Sequence, residues 1–91
     1  MPDSLGELLR SIAANVRRLR RRRLLTQEQL AERAGMDLSY LQRIERANTN
    51  LSIAKLDALA QALAVAPGAL LRAARLPTLR RGRPSKRASS T

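Results

Sequence analysis

Apolar residues recur at intervals of three and four positions near the start of the chain, which is the spacing of an amphipathic helix. The stripe comprises Leu5, Leu8, Ile12, Val16 and Leu19. Asp3 or Ser4 can cap its start, because a short polar side chain accepts a hydrogen bond from a free N–H of the first turn. The pattern predicts a first helix from about Ser4 to Arg23.

A second helix is predicted to start at Thr26, which has Gln29 three residues later and so carries the signature of a capping box. Its buried face comprises Leu30, Ala31 and Ala34. Gly35 ends the helix, because glycine readily adopts the left-handed conformation that closes many helices. These signals predict a short helix between Thr26 and Gly35.

A third helix is predicted to start at Asp37 and to end near Ala47–Asn48. With the second helix it has the anatomy of a helix-turn-helix, in which two short helices cross steeply after a tight turn. Ala31 is small enough for close crossing, and Gly35 tolerates the positive φ that the turn needs. The shared core comprises Leu30, Met36, Leu41 and Ile44. The alternative is an ordinary helical hairpin, but the pattern favours a helix-turn-helix over about residues 26–47.

Ser52 is predicted to cap a fourth helix, and Pro67 suits the first turn of a short fifth helix. The inward face of the fourth helix is expected to hold Ile53, Leu56, Leu59, Ala60 and Leu63. The fifth contains Leu70 and Leu71. No alternating pattern of the strand type competes with these helices. We therefore expect one all-α domain of five helices over residues 1–75.

The composition removes several classes of function. The 91 residues include no Cys and no His, which excludes disulfides, the usual zinc ligands and imidazole or thiol catalysis. A single aromatic residue, Tyr40, cannot build the stacking platforms that bind single-stranded nucleic acids. We expect no enzyme activity, no metal, no cofactor and no small-molecule ligand.

The net charge of +11 is unevenly distributed. Residues 10–23 carry +7 and residues 76–91 carry +5, whereas residues 24–75 carry only +1. This distribution is typical of a protein that binds a polyanion. A membrane surface is a less suitable polyanion, because the basic helix has no Trp or Phe anchor and no apolar run is long enough to span a bilayer. The acidic start does not resemble a signal peptide, so we expect a cytoplasmic protein.

The composition changes after Leu76 to LPTLRRGRPSKRASST. This stretch has too little apolar surface to offset chain entropy, so residues 76–91 are expected to form a disordered basic tail. Within residues 80–87, the run Arg-Gly-Arg-Pro resembles an AT-hook, a segment that lies extended in the minor groove of A·T-rich DNA. The resemblance implies that Arg81, Gly82 and Arg83 enter that groove; a purely electrostatic arm is the alternative.

Three stretches, VRRLRRRRLLTQEQLAERAG, YLQRIER and LDALAQALAV, resemble the phage-repressor and Cro type of helix-turn-helix protein, the XRE family. The resemblance runs from about Ile12 to Leu71. Small controllers of restriction–modification systems look closest, through Tyr40 and the Asn50-x-Ser52 stretch. The resemblance implies a five-helix, phage-repressor-like fold whose third helix, the recognition helix, lies in the major groove of double-stranded DNA.

The resemblance also assigns roles to single positions. Leu38, Ser39, Tyr40 and Arg43 match positions that reach bases or their flanking phosphates, and Gln42 is added to the base readers as their neighbour. Residues that match or flank phosphate-contacting positions are Thr26, Gln27, Arg46, Asn48, Asn50 and Ser52. The chemistry agrees for Arg43, whose planar fork fits the O6 and N7 acceptors of guanine. Arg20 and Glu45 match a structural ion pair, while the other arginines between residues 17 and 23 are expected to be largely exposed.

Three positions depart from the family pattern. Leu38 replaces a polar base reader, so it can only contact a thymine methyl group or pack. Ala47 replaces a common helix-ending glycine, which either strains Ala47 at positive φ or moves the cap to Asn48. Leu51 replaces a frequent proline, which allows another path for the loop before the fourth helix.

The first functional hypothesis is a sequence-specific transcriptional regulator, bacterial or phage-encoded and associated with the nucleoid. It would bind a palindromic operator as a homodimer, joined through the fifth helix by Leu70, Leu71 and Leu76. One alternative is an antitoxin of the same fold, which would need a toxin as partner. Another is a sequence-tolerant architectural DNA-binding protein.

Overall fold

The computed structural model describes residues 3–73, which form five helices and no strand. The helices are α1 (Ser4–Arg22), α2 (Gln27–Ala34), α3 (Leu38–Glu45), α4 (Ile53–Ala62) and α5 (Gly68–Leu71). The all-α prediction is confirmed. The basic tail over residues 76–91, together with Leu76 and the hook-like segment 80–87, lies outside the described residues.

Most helix starts follow the predicted capping chemistry. The side chain of Asp3 accepts a hydrogen bond from the Gly6 N–H at 2.9 Å. Thr26 and Gln29 form both bonds of the capping box, at 3.0 and 2.8 Å. Asp37 occupies the N-cap of α3, but its side chain accepts no capping bond. Local polar residues therefore set where α1 and α2 begin.

The first four helices end with the same backbone conformation. A residue just beyond each of the first four helices is left-handed, with φ between 58° and 67°; these residues are Leu24, Gly35, Ala47 and Ala64. After Ala47, the Asn48 N–H donates to the carbonyl of Arg43 at 2.9 Å, which closes the helix end as in a Schellman motif. Ala47 itself therefore adopts positive φ, and the cap does not move to Asn48.

The core lies where α1 packs against α3 and α5, and where α2 packs against α3 and α4. Its largest fully buried side chains are Leu30, Leu41, Ile44, Leu59, Leu63, Leu70 and Val16. The prediction that Ile53 points inward is wrong, and Leu5 and Leu8 of the α1 stripe are also exposed. Periodicity identifies the apolar face of a helix, but it does not say how much of that face the neighbouring helices cover.

One buried polar residue ties the two ends of the described chain together. The Asn15 amide nitrogen donates to the carbonyls of Leu70 at 3.0 Å and Arg72 at 2.9 Å. These carbonyls lie at the end of α5, where helical partners are lacking. Asn15 thus replaces the missing hydrogen bonds and holds α5 on α1.

Candidate nucleic-acid interface

The third helix separates its side chains into a buried and an outward face. Leu41, Ile44 and Glu45 are buried. Of the sequence-predicted base readers, Ser39 and Arg43 are exposed and Leu38 and Gln42 are half-buried. Tyr40 is half-buried and packs against the core. Exposed hydrogen-bonding groups on a surface helix are the chemistry that reads base edges.

Tyr40 has contacts that differ from those of a free base reader. Its hydroxyl donates to the carbonyl of Asn50 at 3.2 Å. The Arg43 guanidinium carbon lies 5.6 Å from the centre of the Tyr40 ring, which is within cation–π range. The contacts of Tyr40 therefore hold the loop before α4 and support the Arg43 side chain.

Glu45, at the end of α3, is the centre of a polar network. Arg20 reaches it with two hydrogen bonds, 2.7 Å from Nε to Oε2 and 3.1 Å from Nη2 to Oε1. The Gln27 amide donates to Oε1 at 3.0 Å. Since these groups come from α1, α2 and α3, the network fixes α3 relative to both of its neighbours.

Gln27 also accepts a hydrogen bond from the Gln42 amide, at 3.4 Å. A glutamine amide carries two N–H donors, and one of those of Gln27 donates its hydrogen bond to Glu45. The second N–H remains to donate to an external acceptor. This arrangement connects a candidate phosphate contact on α2 with a candidate base reader on α3.

Arg17 differs from the expectation that it is largely exposed. It is half-buried, and its Nη1 donates to the backbone carbonyl of Glu45. A cation is favourable there, because the last carbonyls of a helix lack helical partners and carry the negative end of its dipole. Arg17 and Arg20 are three residues apart on α1, a spacing that puts both on one face and was available in the sequence. Arg18 and residues 21–23 are exposed as expected.

The same residues line an open basic cleft of about 560 Å³ between the first three helices. Its lining comprises Arg17, Arg20, Arg21, Gln27, Gln42, Glu45 and Arg46. Four guanidinium groups face a single carboxylate in this cleft. The excess of fixed positive charge suits it to a phosphate oxygen.

Thr26 and Ser52 cap helices and keep a donor free. The Oγ of Ser52 accepts from the Lys55 N–H at 3.1 Å, just as Thr26 Oγ1 accepts from Gln29. Capping uses an acceptor lone pair, so each hydroxyl hydrogen can still be donated. Both helix starts therefore offer an O–H next to unpaired backbone N–H groups.

The remaining predicted site residues lie in the loop after α3 or outside the described chain. The side chains of Arg46, Asn48 and Asn50 are exposed. The Asn50 carbonyl also accepts from the Thr49 hydroxyl at 3.2 Å. Arg81, Gly82 and Arg83 fall outside residues 3–73.

Two functionally relevant contacts were not anticipated from the sequence. Asn15 lies three residues after Ile12 and four before Leu19, so a polar residue interrupts the apolar stripe of α1. That interruption is the available signal for its buried role. The contact between Arg17 and the end of α3 depends on how α1 packs, although the three-residue spacing to Arg20 hints at a shared face.

Within residues 3–73, no group of three or more His, Cys, Asp or Glu side chains comes together to hold a metal ion. The helices of this part of the chain also lack the combination of length and apolar character needed to cross a membrane.

Comparison with known proteins relates residues 16–70 to a helix-turn-helix family model. The immunity repressor protein of Bacillus phage phi105 is 39% identical over 61 residues, which cover 67% of this chain and 42% of the repressor. The chain thus matches less than half the length of that relative.

Two solved structures are also similar. The restriction-modification controller protein C.AhdI from Aeromonas hydrophila shares 37% identity, covers 68% of this chain and 94% of its own, and superposes with a TM-score of 0.66. A hypothetical transcription factor from Neisseria shares 33% identity over 80% of this chain and 83% of its own, with a TM-score of 0.72.

Proposed function

This chain belongs to the helix-turn-helix family of the phage-repressor (XRE) type, and from that premise we propose a sequence-specific transcriptional regulator that binds a palindromic operator in double-stranded DNA as a homodimer. The observation that carries the proposal is the outward face of α3. Its polar side chains border a basic cleft and lie near two capped helix starts. One surface can therefore contact base edges and phosphates together.

Base reading is assigned mainly to Arg43. It is exposed, its guanidinium lies over the ring of Tyr40, and a guanidinium fork matches the acceptors of guanine. Ser39 can exchange hydrogen bonds with several base edges. Gln42 is held by Gln27 and presents its remaining amide groups, while Leu38 suits a thymine methyl group.

Phosphate contacts are assigned to the rim of this face. Thr26 and Ser52 retain their hydroxyl hydrogens, and Gln27 retains an N–H at the start of α2. Arg46 contributes part of the positive charge of the basic cleft. Asn48 and Asn50 add exposed amide groups in the loop after α3. Such contacts fix the register of the protein on DNA without reading its sequence.

A dimer is proposed because paired recognition helices can enter successive major grooves about 34 Å apart on one face of the duplex. Leu70 no longer belongs to the expected interface, since its side chain is fully buried in the core. Leu71 is exposed and remains a candidate. Outside the described residues, Arg81, Gly82 and Arg83 would add minor-groove contacts on A·T-rich flanks.

Selection of binding sites from random DNA with the full chain tests the proposal. We expect enrichment of two inverted half-sites about one helical turn apart, bound at least about 10³-fold more tightly than random DNA at the same salt concentration. A version with one half-site scrambled is the control for dimeric binding. Equal affinity for selected and random DNA would instead identify a sequence-tolerant architectural protein.

A further inference from the structure

The positive charge of the basic cleft is not balanced by the carboxylate that lines it. Of the four arginines in the cleft, Arg20 is the one that pairs with Glu45. Both oxygens of Glu45 already accept hydrogen bonds, Oε2 from Arg20 and Oε1 from Arg20 and Gln27. Within residues 3–73, Arg17, Arg21 and Arg46 form no ion pair. The cleft therefore holds three guanidinium groups whose charge no neighbouring carboxylate neutralises.

These three groups enter the cleft from two sides. Arg17 and Arg21 are four residues apart on α1, so their side chains share one face and are separated by about 6 Å along the helix axis. Arg46 directly follows α3 on the other side of the cleft. Arg17 also donates to the carbonyl of Glu45, the residue before Arg46. The end of α3 and the last turns of α1 thus face one another across the cleft.

The donors of the cleft suit a phosphate group. A guanidinium carries five N–H donors in a planar fork and no acceptor. Arg17 spends one of its donors on the Glu45 carbonyl, which leaves N–H groups for a second acceptor. A phosphate group of a nucleic-acid backbone presents two charged oxygens, which guanidinium groups bind by short, charge-assisted hydrogen bonds. Because the cleft is open, it can admit a phosphate that belongs to a polymer.

We propose that the basic cleft binds one phosphate group of the DNA backbone through Arg17 and Arg21 of α1 together with Arg46. The inference rests on the proposed function for the identity of the polyanion. Neither Arg17 nor Arg21 is a position to which the family resemblance assigns a DNA contact. Gln27 and Gln42 line the same cleft, so the bound phosphate lies beside the candidate contacts of α2 and α3.

A phosphate bound there also affects how α3 packs on α1. Three like charges close to one another repel, and a bound anion between them removes that repulsion. Arg17 holds the last carbonyl of α3 and Arg20 holds the Glu45 side chain, so the cleft is built on the contacts that position α3. Occupation of the cleft therefore stabilises the domain as well as the complex. A free phosphate ion has the same chemistry, and the experiments below distinguish the two sources.

The first experiment uses the selected operator with single backbone phosphates replaced by uncharged methylphosphonate, one position at a time and equivalently in both half-sites. Fluorescence anisotropy at one salt concentration measures the affinity of the full chain and of Arg21→Gln. At the phosphate that the cleft binds, the replacement is expected to weaken wild-type binding at least about tenfold. It is expected to weaken Arg21→Gln by less than about threefold, because this variant has already lost part of the contact. Elsewhere in the operator both proteins are expected to lose affinity equally.

Arg22→Gln is the matched control. Arg22 is exposed and lies in the same last turn of α1, but it does not line the cleft, so the variant has the same change of charge. It is expected to keep the full wild-type response to methylphosphonate at every position. Circular dichroism melts check that both variants fold. If Arg21→Gln responds like wild type and Arg22→Gln throughout the operator, the proposal is overturned.

The second experiment measures thermal unfolding of the full chain without DNA, in inorganic phosphate and in sodium chloride of equal ionic strength. Phosphate stabilises many proteins through the solvent, so the comparison is between variants. The rise in Tm is expected to be larger for wild type and Arg22→Gln than for Arg21→Gln. Equal rises in all three proteins contradict a phosphate site in the cleft. A larger rise for wild type without any coupling on the operator would assign the cleft to a free phosphate ion and overturn the DNA contact.

The two experiments separate this inference from the proposed function. Operator preference without coupling between Arg21 and a backbone phosphate would overturn the cleft contact alone. Stabilisation by phosphate that depends on Arg21, in a protein that binds selected and random DNA equally, would overturn the proposed function alone.

Discussion

The guanidinium of Arg20 on α1 meets the carboxylate of Glu45 on α3 side by side, and the pair is shielded from water. The side chain of Glu45 is 3% exposed and that of Arg20 is 11% exposed. Arg20 also donates to the Leu25 carbonyl at 3.0 Å, which secures the turn into α2. The pair therefore joins α3 to α1 and to the turn before α2.

Replacing Glu45 by Ala is expected to lower the free energy of unfolding by about 3–5 kcal/mol, because it leaves the Arg20 charge buried without a partner. Chemical denaturation measures the loss. The exposed Glu32 is a matched control, and Glu32→Ala is expected to change stability by less than about 0.5 kcal/mol. A loss below about 1 kcal/mol for Glu45→Ala would mean that solvent screens the pair.

Replacing Asn15 by Ala is expected to cost about 1–3 kcal/mol, since the carbonyls of Leu70 and Arg72 lose their shared donor. Amide hydrogen exchange in α5 should accelerate more than exchange in α2. Asn48→Ala, which removes an exposed amide, serves as the control and should change neither quantity. Uniform acceleration across all helices would show that Asn15 supports the whole fold rather than the position of α5.

The left-handed helix ends predict stabilising substitutions. Ala47→Gly and Leu24→Gly are each expected to raise the free energy of unfolding by about 0.5–1 kcal/mol, because glycine avoids the left-handed penalty but loses more chain entropy on folding. Urea denaturation measures the change. Gly35→Ala is expected to lower the free energy of unfolding. The cause is the left-handed backbone of residue 35 and not a clash, since a Cβ added there would contact nothing within 4 Å. A destabilised Ala47→Gly variant would contradict this reasoning.

On the selected operator, Arg43→Ala is expected to cost about 1–3 kcal/mol and to relax preference at one base position. Arg46→Ala should weaken binding to operator and random DNA equally and reduce the slope of log affinity against log salt by about 0.9 for each phosphate that the protein no longer neutralises. Fluorescence anisotropy titrations at several salt concentrations measure both. Equal weakening on both DNAs by Arg43→Ala would make Arg43 a phosphate-binding residue.

Two substitutions distinguish the contribution of the Tyr40 ring from that of its hydroxyl group. Tyr40→Phe keeps the ring beside Arg43 and removes the bond to Asn50, so base preference should persist while stability falls by about 0.5–1.5 kcal/mol. Tyr40→Leu removes both and should relax preference at the position that Arg43 reads. If both variants lose preference at a different base, Tyr40 itself contacts DNA.

The local elements of this protein follow from the sequence alone. Thr26 and Gln29 form their capping box within four residues of chain, and Gly35 closes α2 through its own backbone freedom. The charge distribution and the outward positions of α3 are equally local, because they depend only on residue order and helical period. For that reason the fold class and the helix-turn-helix could be predicted from the sequence, whereas the base-reading roles on α3 are what the family resemblance implies.

Packing between helices that are far apart in the sequence decided the burial and the long-range contacts of single residues. Whether Ile53 is buried depends on where neighbouring helices end. Whether Arg17 is exposed or contacts α3 depends on the distance between α1 and the last carbonyl of α3. Likewise, the sequence left the cap open between Ala47 and Asn48, and in the structure it is Ala47 that adopts the left-handed φ. The sequence determined the helices, their caps and their charge, whereas the tertiary structure determined the Glu45 network, the Asn15 link and the basic cleft. Contacts between residues far apart in the chain depend on the relative positions of helices, which no local pattern specifies.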